Sequence, residues 1–246
     1  MDIYGLLGYP LGHSFSRGFF NEKFTNKRID AEYVNFEIPD INEVRGILAA
    51  HPHLKGLNVT IPYKEKILPY LDETDSEASA IGAVNVVKVL SSEGKVYLKG
   101  FNSDVIGFVD SLKPLLAPHH QKALVLGTGG ASRAIRYGLT KLGLSYQMVS
   151  RRKAEGTLVY SELSQEIIKE HTVIVNCTPC GMYPKVDECP DIPYQELNST
   201  HLLYDLTYNP ETTLFMKKGL DQGAQVKNGL EMLILQAKAA WDFWNK

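Results

Sequence analysis

Ala123, Leu124, Val125, Leu126, Gly127, Thr128, Gly129, Gly130, Ala131, Ser132 is the stretch from which the fold is read. Its unbroken apolar run makes a strand buried on both faces. The glycines end that strand, and the residues beyond them favour helix. Such a break presents free backbone N–H groups at a helix N-terminus, where a phosphate binds. The same glycines also suit any tight strand-to-helix turn, because glycine accepts positive φ and close packing. The loop starts only after about half the chain has passed, so the residues ahead of it need their own task.

Working outward, a strand over 144–149 ends in Ser150, Arg151, Arg152, Lys153. A dinucleotide fold places an acid about 20 residues after the glycine loop, for the ribose hydroxyls of NAD. Here a hydroxyl and two guanidiniums stand instead, which suits the 2′-phosphate of NADP. A solvated basic turn is the plainer reading of the same run. Further strands are expected at 172–176, 202–206 and 223–226, with helices at 130–142, 161–170 and 211–221. Ahead of the loop, strands at 3–7, 33–38, 56–59 and 83–89 alternate with helices at 15–27, 41–50 and 63–71. The fold class is therefore α/β with two lobes: an N-terminal α/β domain and a Rossmann-like dinucleotide-binding domain. The last helix, 230–244, puts Leu233, Ala237, Ala240 and Trp244 on one face and is expected to pack back on the first lobe.

The chain has 246 residues, 44% hydrophobic and 22% charged, enough for a large core and against disorder. A net charge of -2 provides no field for nucleic acid, which leaves a small molecule as the expected partner. No stretch approaches the ~18 apolar residues of a membrane span. The start, Asp2 before a short apolar strand, lacks a basic leader, so the expected location is cytoplasmic. Cys177, Cys180 and Cys189 raise redox and zinc readings. Only the distant His171 and His201 are on hand as further zinc ligands, so reduced loop thiols and no metal are expected.

The first lobe carries the chemistry. Ser14 and Ser16 precede the first helix in a segment expected to be extended, where alternation turns both hydroxyls the same way. Near a helix N-terminus they suit a carboxylate, and the plainer reading is an N-cap, with Ser16 as the candidate. Asn58, Thr60 and Lys64 stand at the C-terminal end of a strand, where α/β sheets bind ligands. Asn85 falls in the strand at 83–89. Asp104 follows Gly100, Phe101, Asn102, Ser103; it reads either as a helix cap or as the partner of Lys64.

These residues resemble the shikimate dehydrogenase family. The resemblance rests on Gly8 to Ser16, Asn58 to Lys64, Gly82 to Asn85, Gly100 to Asp104, Gly127 to Ser132, Asn176 to Met182, Tyr204 to Pro210 and Gly229 to Ala237. It implies NADPH-dependent reduction of 3-dehydroshikimate to shikimate, in aromatic amino acid biosynthesis, by a monomer or homodimer. Ser14 and Ser16 would hold the substrate carboxylate, and Asn58, Thr60, Asn85, Asp104 and Gln236 the ring hydroxyls. Lys64 and Asp104 would be the catalytic pair, with Tyr208 near substrate and nicotinamide. The cofactor would be held by Gly127, Thr128, Gly129, Gly130, Ala131, Ser132, Ser150, Arg151, Arg152, Thr178, Met182 and Gly229.

The expected domains are 1–101 plus 228–246 for substrate and 102–227 for NADP, with the site where they meet. The family's basic cluster reads Asn-Arg-Thr, whereas this chain has Ser150, Arg151, Arg152. The short crossover after Arg151 implies an extended segment at 157–160 where the family has a helix. The alternatives are a quinate/shikimate dehydrogenase with relaxed cofactor use, and a nucleotide-sensing homologue without turnover. Retention of both Lys64 and Asp104 argues against the sensor.

Overall fold

Alternating strands and helices fold, in the computed structural model, into two units: Met1–Ser103 with Ala237–Lys246, and Asp104–Gln236. The structure describes residues 1–12, 14–92 and 95–246; His13 of the motif at 8–16 lies outside the described residues.

The first unit contains β1 (Asp2–Gly8), α1 (Phe15–Lys27), β2 (Ala31–Glu37), α2 (Val44–Ala50), β3 (Leu54–Val59), β4 (Glu73–Thr74), α3 (Ser76–Ile81), β5 (Val86–Ser92) and β6 (Lys95–Phe101). Its sheet has the order β2-β1-β3-β5-β6-β4. β1 pairs in parallel with β2 and β3, whereas β5 runs against β3 and forms a hairpin with β6. That reversal sets the functional edge. Asn58 lies opposite Val86, and Val86 opposite Phe101, so the end of β3, the start of β5 and the end of β6 share one edge.

Strand alternation sends side chains to two cores. Leu7, Leu57, Val59, Val87 and Val89 pack on one face with Val44 and Ile67. Tyr4, Phe20, Phe24 and Tyr33 pack on the other with Ala237, Ala240 and Trp244. The Trp244 indole N–H donates to the Val87 carbonyl at 3.1 Å. A Cβ at Gly56 would run into the Trp244 indole, so the ring reaches the sheet only because position 56 has no side chain.

In the second unit come α4 (Asp104–Leu112), β7 (Lys122–Leu126), α5 (Gly130–Lys141), β8 (Ser145–Ser150), β9 (Thr157–Val159), α6 (Gln165–Glu170), β10 (Val173–Asn176), β11 (Leu202–Asp205), α7 (Leu214–Asp221) and β12 (Gln225–Lys227). α8 (Leu230–Asn245) gives its first turns to this unit and the rest, from Ala237, to the first. The strands are all parallel, in the order β9-β8-β7-β10-β11-β12. This is the doubly wound order of dinucleotide-binding folds, in which the strand order reverses after the first strand, here β7. Its apolar runs divide by alternation: Ala123, Val125, Val173 and Val175 face α5 through Ile135 and Leu139. Leu124, Leu126, Ile174 and Leu203 face Ile168 and Phe215 on α6 and α7. Among the described residues, no helix is long and apolar enough to cross a membrane.

Several expected elements are corrected. The helix at 63–71 does not form: turns lead to a 3-10 turn at Leu68–Tyr70. Pro69 lacks an N–H and disfavours helical geometry before it. Asn85 precedes β5, which starts at Val86, rather than lying in it. The helix at 161–170 shortens to α6, where Ser164 supplies the N-cap, and that at 211–221 starts after its cap, Thr213. The extended segment expected at 157–160 is present as β9, parallel to β8.

Gly56→Ala is expected to lower stability by about 1–3 kcal/mol, the range for overpacking a filled core. Urea unfolding followed by tryptophan fluorescence would measure it, and an unshifted midpoint would show that the indole can give way.

Candidate active site

At the shared edge of the first unit, backbone and side-chain amides knit four segments together. The Asn85 N–H donates to the Phe101 carbonyl at 3.1 Å, and the Val59 N–H to the Asn85 carbonyl at 2.8 Å. The Asn85 Oδ1 accepts the Ser103 N–H at 2.7 Å, while its Nδ2 donates to the Ser103 Oγ at 3.0 Å. Asn102 Nδ2 donates to the Ala83 carbonyl at 2.9 Å. Asn58, Asn85, Asn102 and Ser103 are all buried, so these bonds satisfy amides that would otherwise be costly.

Lys64 is placed by its backbone: its carbonyl accepts the Val84 N–H at 2.8 Å, one residue before Asn85. The turn leading to it is closed by the Tyr63 N–H on the Thr60 carbonyl, and the buried Tyr63 hydroxyl donates to the Ile38 carbonyl at 2.5 Å. Thr60 is joined to the end of β1 through the Leu7 carbonyl at 2.9 Å. Asp104, half-buried, is the first residue of α4 and follows the fixed Ser103 directly.

Ser14 and Ser16 depart from the expected extended pair. Ser14 is the extended N-cap of α1, its Oγ accepting the Arg17 N–H at 3.2 Å; Ser16 is already helical. Capping uses an oxygen lone pair of Ser14 and leaves its hydroxyl hydrogen to donate elsewhere. Ser16 is half-buried, and the wholly buried Tyr33 packs beneath α1 against Phe20.

In the second unit, the loop after β7 stands at the reversal of strand order. Gly127 has φ +98°, and a Cβ there would lie 2.9 Å from the Thr178 methyl, so the loops after β7 and β10 meet closely. Gly129 caps α5 without a side-chain bond, and no acid occupies the first turn. Nothing lies within 4 Å of a Cβ built on Gly129 or Gly130. The first N–H groups of α5 thus border open space with a positive helix end, as an anion requires. Ser132 is buried and donates its hydroxyl to the Gly129 carbonyl at 2.7 Å, closing the turn. Thr128, Arg151 and Arg152 are exposed, and Ala131 is half-buried. The Ser150 Oγ accepts the Arg152 N–H at 3.3 Å. This donor set fits a dinucleotide whose second phosphate meets two guanidiniums rather than an acid.

Asp205, fully buried at the end of β11, governs two other loops. Its carboxylate accepts Asn176 Nδ2 at 3.1 Å, the Thr207 N–H at 3.0 Å and the Thr213 hydroxyl at 2.6 Å. Asn176 Oδ1 in turn accepts the Thr178 N–H and hydroxyl. Met182 and Tyr208 are exposed. Gly229 donates its N–H to the Thr207 carbonyl, and the buried Gln236 donates Nε2 to the Leu233 carbonyl at 2.9 Å. Burial pushes the Asp205 carboxyl above its ordinary range, against the opposing pull of its hydrogen bonds.

Residues 6–87 match the family model of the shikimate dehydrogenase substrate binding domain. The shikimate dehydrogenase (NADP(+)) of Caldanaerobacter subterraneus subsp. tengcongensis is 36% identical over 98% of this chain and 91% of its own length. The chain belongs to the shikimate dehydrogenase family. Among solved family structures, shikimate dehydrogenase from Aquifex aeolicus superposes with a TM-score of 0.84 at 36% identity, covering 99% of this chain and 92% of that one. The shikimate 5-dehydrogenase of Thermus thermophilus, in complex with NADP(H) and shikimate, gives 0.84 at 31% identity, covering 99% and 93%.

Within this shikimate dehydrogenase fold, sequence reasoning missed Tyr33, Asn102, Ser103, Asn176 and Asp205 as organisers. Asn102 and Ser103 were visible in a quoted motif, but only the antiparallel register brings Ser103 to Asn85. Asp205→Asn would set amide hydrogens against groups that already donate, at a cost of about 1–3 kcal/mol. Because the folded carboxyl has a raised pKa, its contribution to stability is fullest below the unfolded value and falls as pH rises through the folded one. The variant's deficit in urea unfolding should therefore widen as the pH is lowered; a deficit independent of pH would contradict this.

Proposed function

We infer that the chain catalyses the reversible NADPH-dependent reduction of 3-dehydroshikimate to shikimate, a step of aromatic amino acid biosynthesis. The observation that carries this reading is the strand-end cluster of Asn58, Asn85 and Ser103 with Lys64 on the adjoining loop, in a chain of the shikimate dehydrogenase family. In this proposal Met1–Ser103 with Ala237–Lys246 takes most of the substrate contacts, and Asp104–Gln236 takes the cofactor and contributes Gln236 to the substrate.

Ser14 and Ser16 hold the substrate carboxylate: Ser14 donates the hydrogen that capping leaves over, and Ser16 lies in a first turn whose N–H groups favour an anion. Asn58, Thr60, Asn85 and Gln236 bind ring hydroxyls, and Tyr208 borders substrate and nicotinamide. The N–H groups of Gly129, Gly130 and Ala131 hold the pyrophosphate, with Gly127, Thr128 and Ser132 shaping the turn. Ser150, Arg151 and Arg152 hold the 2′-phosphate, and Thr178, Met182 and Gly229 complete the cofactor contacts.

NADPH, when bound, supplies the hydride. As the substrate ketone is reduced, negative charge grows on its oxygen, which then needs a proton and a nearby positive charge. The Lys64 ammonium provides both. Asp104 orients that ammonium, and the pair holds the transferable proton jointly, since two coupled groups titrate as one unit.

Initial rates with shikimate and quinate, each against NADP and NAD, test the reading; shikimate with NADP should be the fastest combination, and absence of shikimate oxidation would overturn it. Lys64→Ala should lower kcat by about 10²- to 10⁴-fold with a smaller change in KM. Near-parental turnover in that variant would remove Lys64 from the mechanism. Arg151→Ala should raise the KM for NADP by about 10- to 100-fold, the value of a charge-assisted phosphate contact. The KM for NAD should stay unchanged, and equal losses for both cofactors would show that Arg151 does not read the 2′-phosphate.

A further inference from the structure

Tyr33 lies on the edge strand of the first unit, with nothing in its immediate sequence to suggest chemistry. Its ring is fully buried, stacked on Phe20 of α1 at 4.8 Å between centroids and 12° between planes. Its backbone is clamped from the same helix: Asn21 donates Nδ2 to the Tyr33 carbonyl at 2.9 Å and accepts the Tyr33 N–H at 2.8 Å. The phenol is therefore held rigidly between α1 and the end of β3. There the Tyr33 hydroxyl donates to Asn58 Oδ1 at 2.8 Å. Burial pushes the phenol well above its ordinary pKa, so it is a neutral hydroxyl with one hydrogen to give.

That hydrogen and the Asn85 carbonyl together set the orientation of an amide. With Oδ1 committed to Tyr33, Asn58 directs Nδ2 the other way, where one of its hydrogens reaches the Asn85 carbonyl at 3.4 Å. An amide nitrogen carries two hydrogens, so a second remains to be donated. Flipping Asn58 would turn Oδ1 against the Asn85 carbonyl, which can only accept, and take from the Tyr33 hydrogen the acceptor it now has.

We propose that Tyr33 is a positioning residue for substrate recognition: it fixes Asn58 as a donor toward the ligand and ties that orientation to α1, through its ring stacked on Phe20 and its backbone held by Asn21. Substrate oxygens that accept a hydrogen bond are thereby favoured at Asn58. The helix that carries Ser14 and Ser16 and the strand end that carries Asn58 are held in register by one buried tyrosine. The proposal rests on the reading of Ser16 and Asn58 as substrate ligands.

Tyr33→Phe keeps the stacked ring and removes only the oxygen. The shikimate KM should rise by about 5- to 30-fold, the loss of a buried hydrogen bond. The kcat should change less than the KM does, and the KM for NADP should stay at the parental value. In an Asn58→Ala background the same substitution should add much less, because the group through which it acts is gone. A parental shikimate KM in Tyr33→Phe, or an undiminished increment in the Asn58→Ala background, would overturn the proposal. So would a parallel loss of NADP affinity or of folding, which would make the hydroxyl merely structural. Wild-type protein assayed alongside separates the two readings: no shikimate turnover in the parent removes the proposed function and this inference with it. Parental turnover with an indifferent Tyr33→Phe removes this inference alone.

Discussion

The reciprocal bonding of Asn85 and Ser103 is the interaction on which the first unit's edge depends. One buried side chain uses both ends of its amide on one partner, while its own backbone joins β3 to β6. Without it, the chain would leave β6 with buried polar groups unpaired, and the direction in which α4 starts would be undetermined. Three of the residues proposed for the site lie within a few bonds of that lock. Lys64 hangs from Val84, Asn58 bonds the Asn85 carbonyl, and Asp104 follows Ser103.

The second unit solves its positioning problem differently. Its parallel sheet ends in loops, and the glycine at 127 is what lets those after β7 and β10 approach one another. Side chains enter where two loops must be held at once, and Asp205 does this with a single buried carboxylate facing three donors. A carboxylate there accepts every bond offered, but at the expense of desolvation, so its environment draws the pKa upward. The first unit uses amides, which donate and accept, because its contacts run in both directions.

What was legible beforehand follows from these differences. Strands β7, β10 and β11 are buried on both faces and read as continuous apolar runs, so their places were recognisable to within a residue or two. α1 was equally plain, with its expected bounds of 15–27 met, yet Ser16, read as extended beside Ser14, lies inside its first turn. The segment after Lys64 carries helical periodicity that Pro69 overrides. Motif reasoning named the individual residues proposed for the site. It had no access to bonds between partners far apart in the chain, such as Tyr33 with Asn58 or Asn176 with Asp205, since neither local pattern nor composition records them.

The path of α8 bears on the order of assembly. Residues 104–236 form an uninterrupted segment able to complete its own core as soon as it is made. The first unit is encoded earlier but finished later. Tyr4, Phe20 and Phe24 await the ring of Trp244, and its hydrogen bond to Val87 spans 157 residues. During synthesis, the sheet that emerges first must therefore hold an open apolar face until the last helix arrives to cover it.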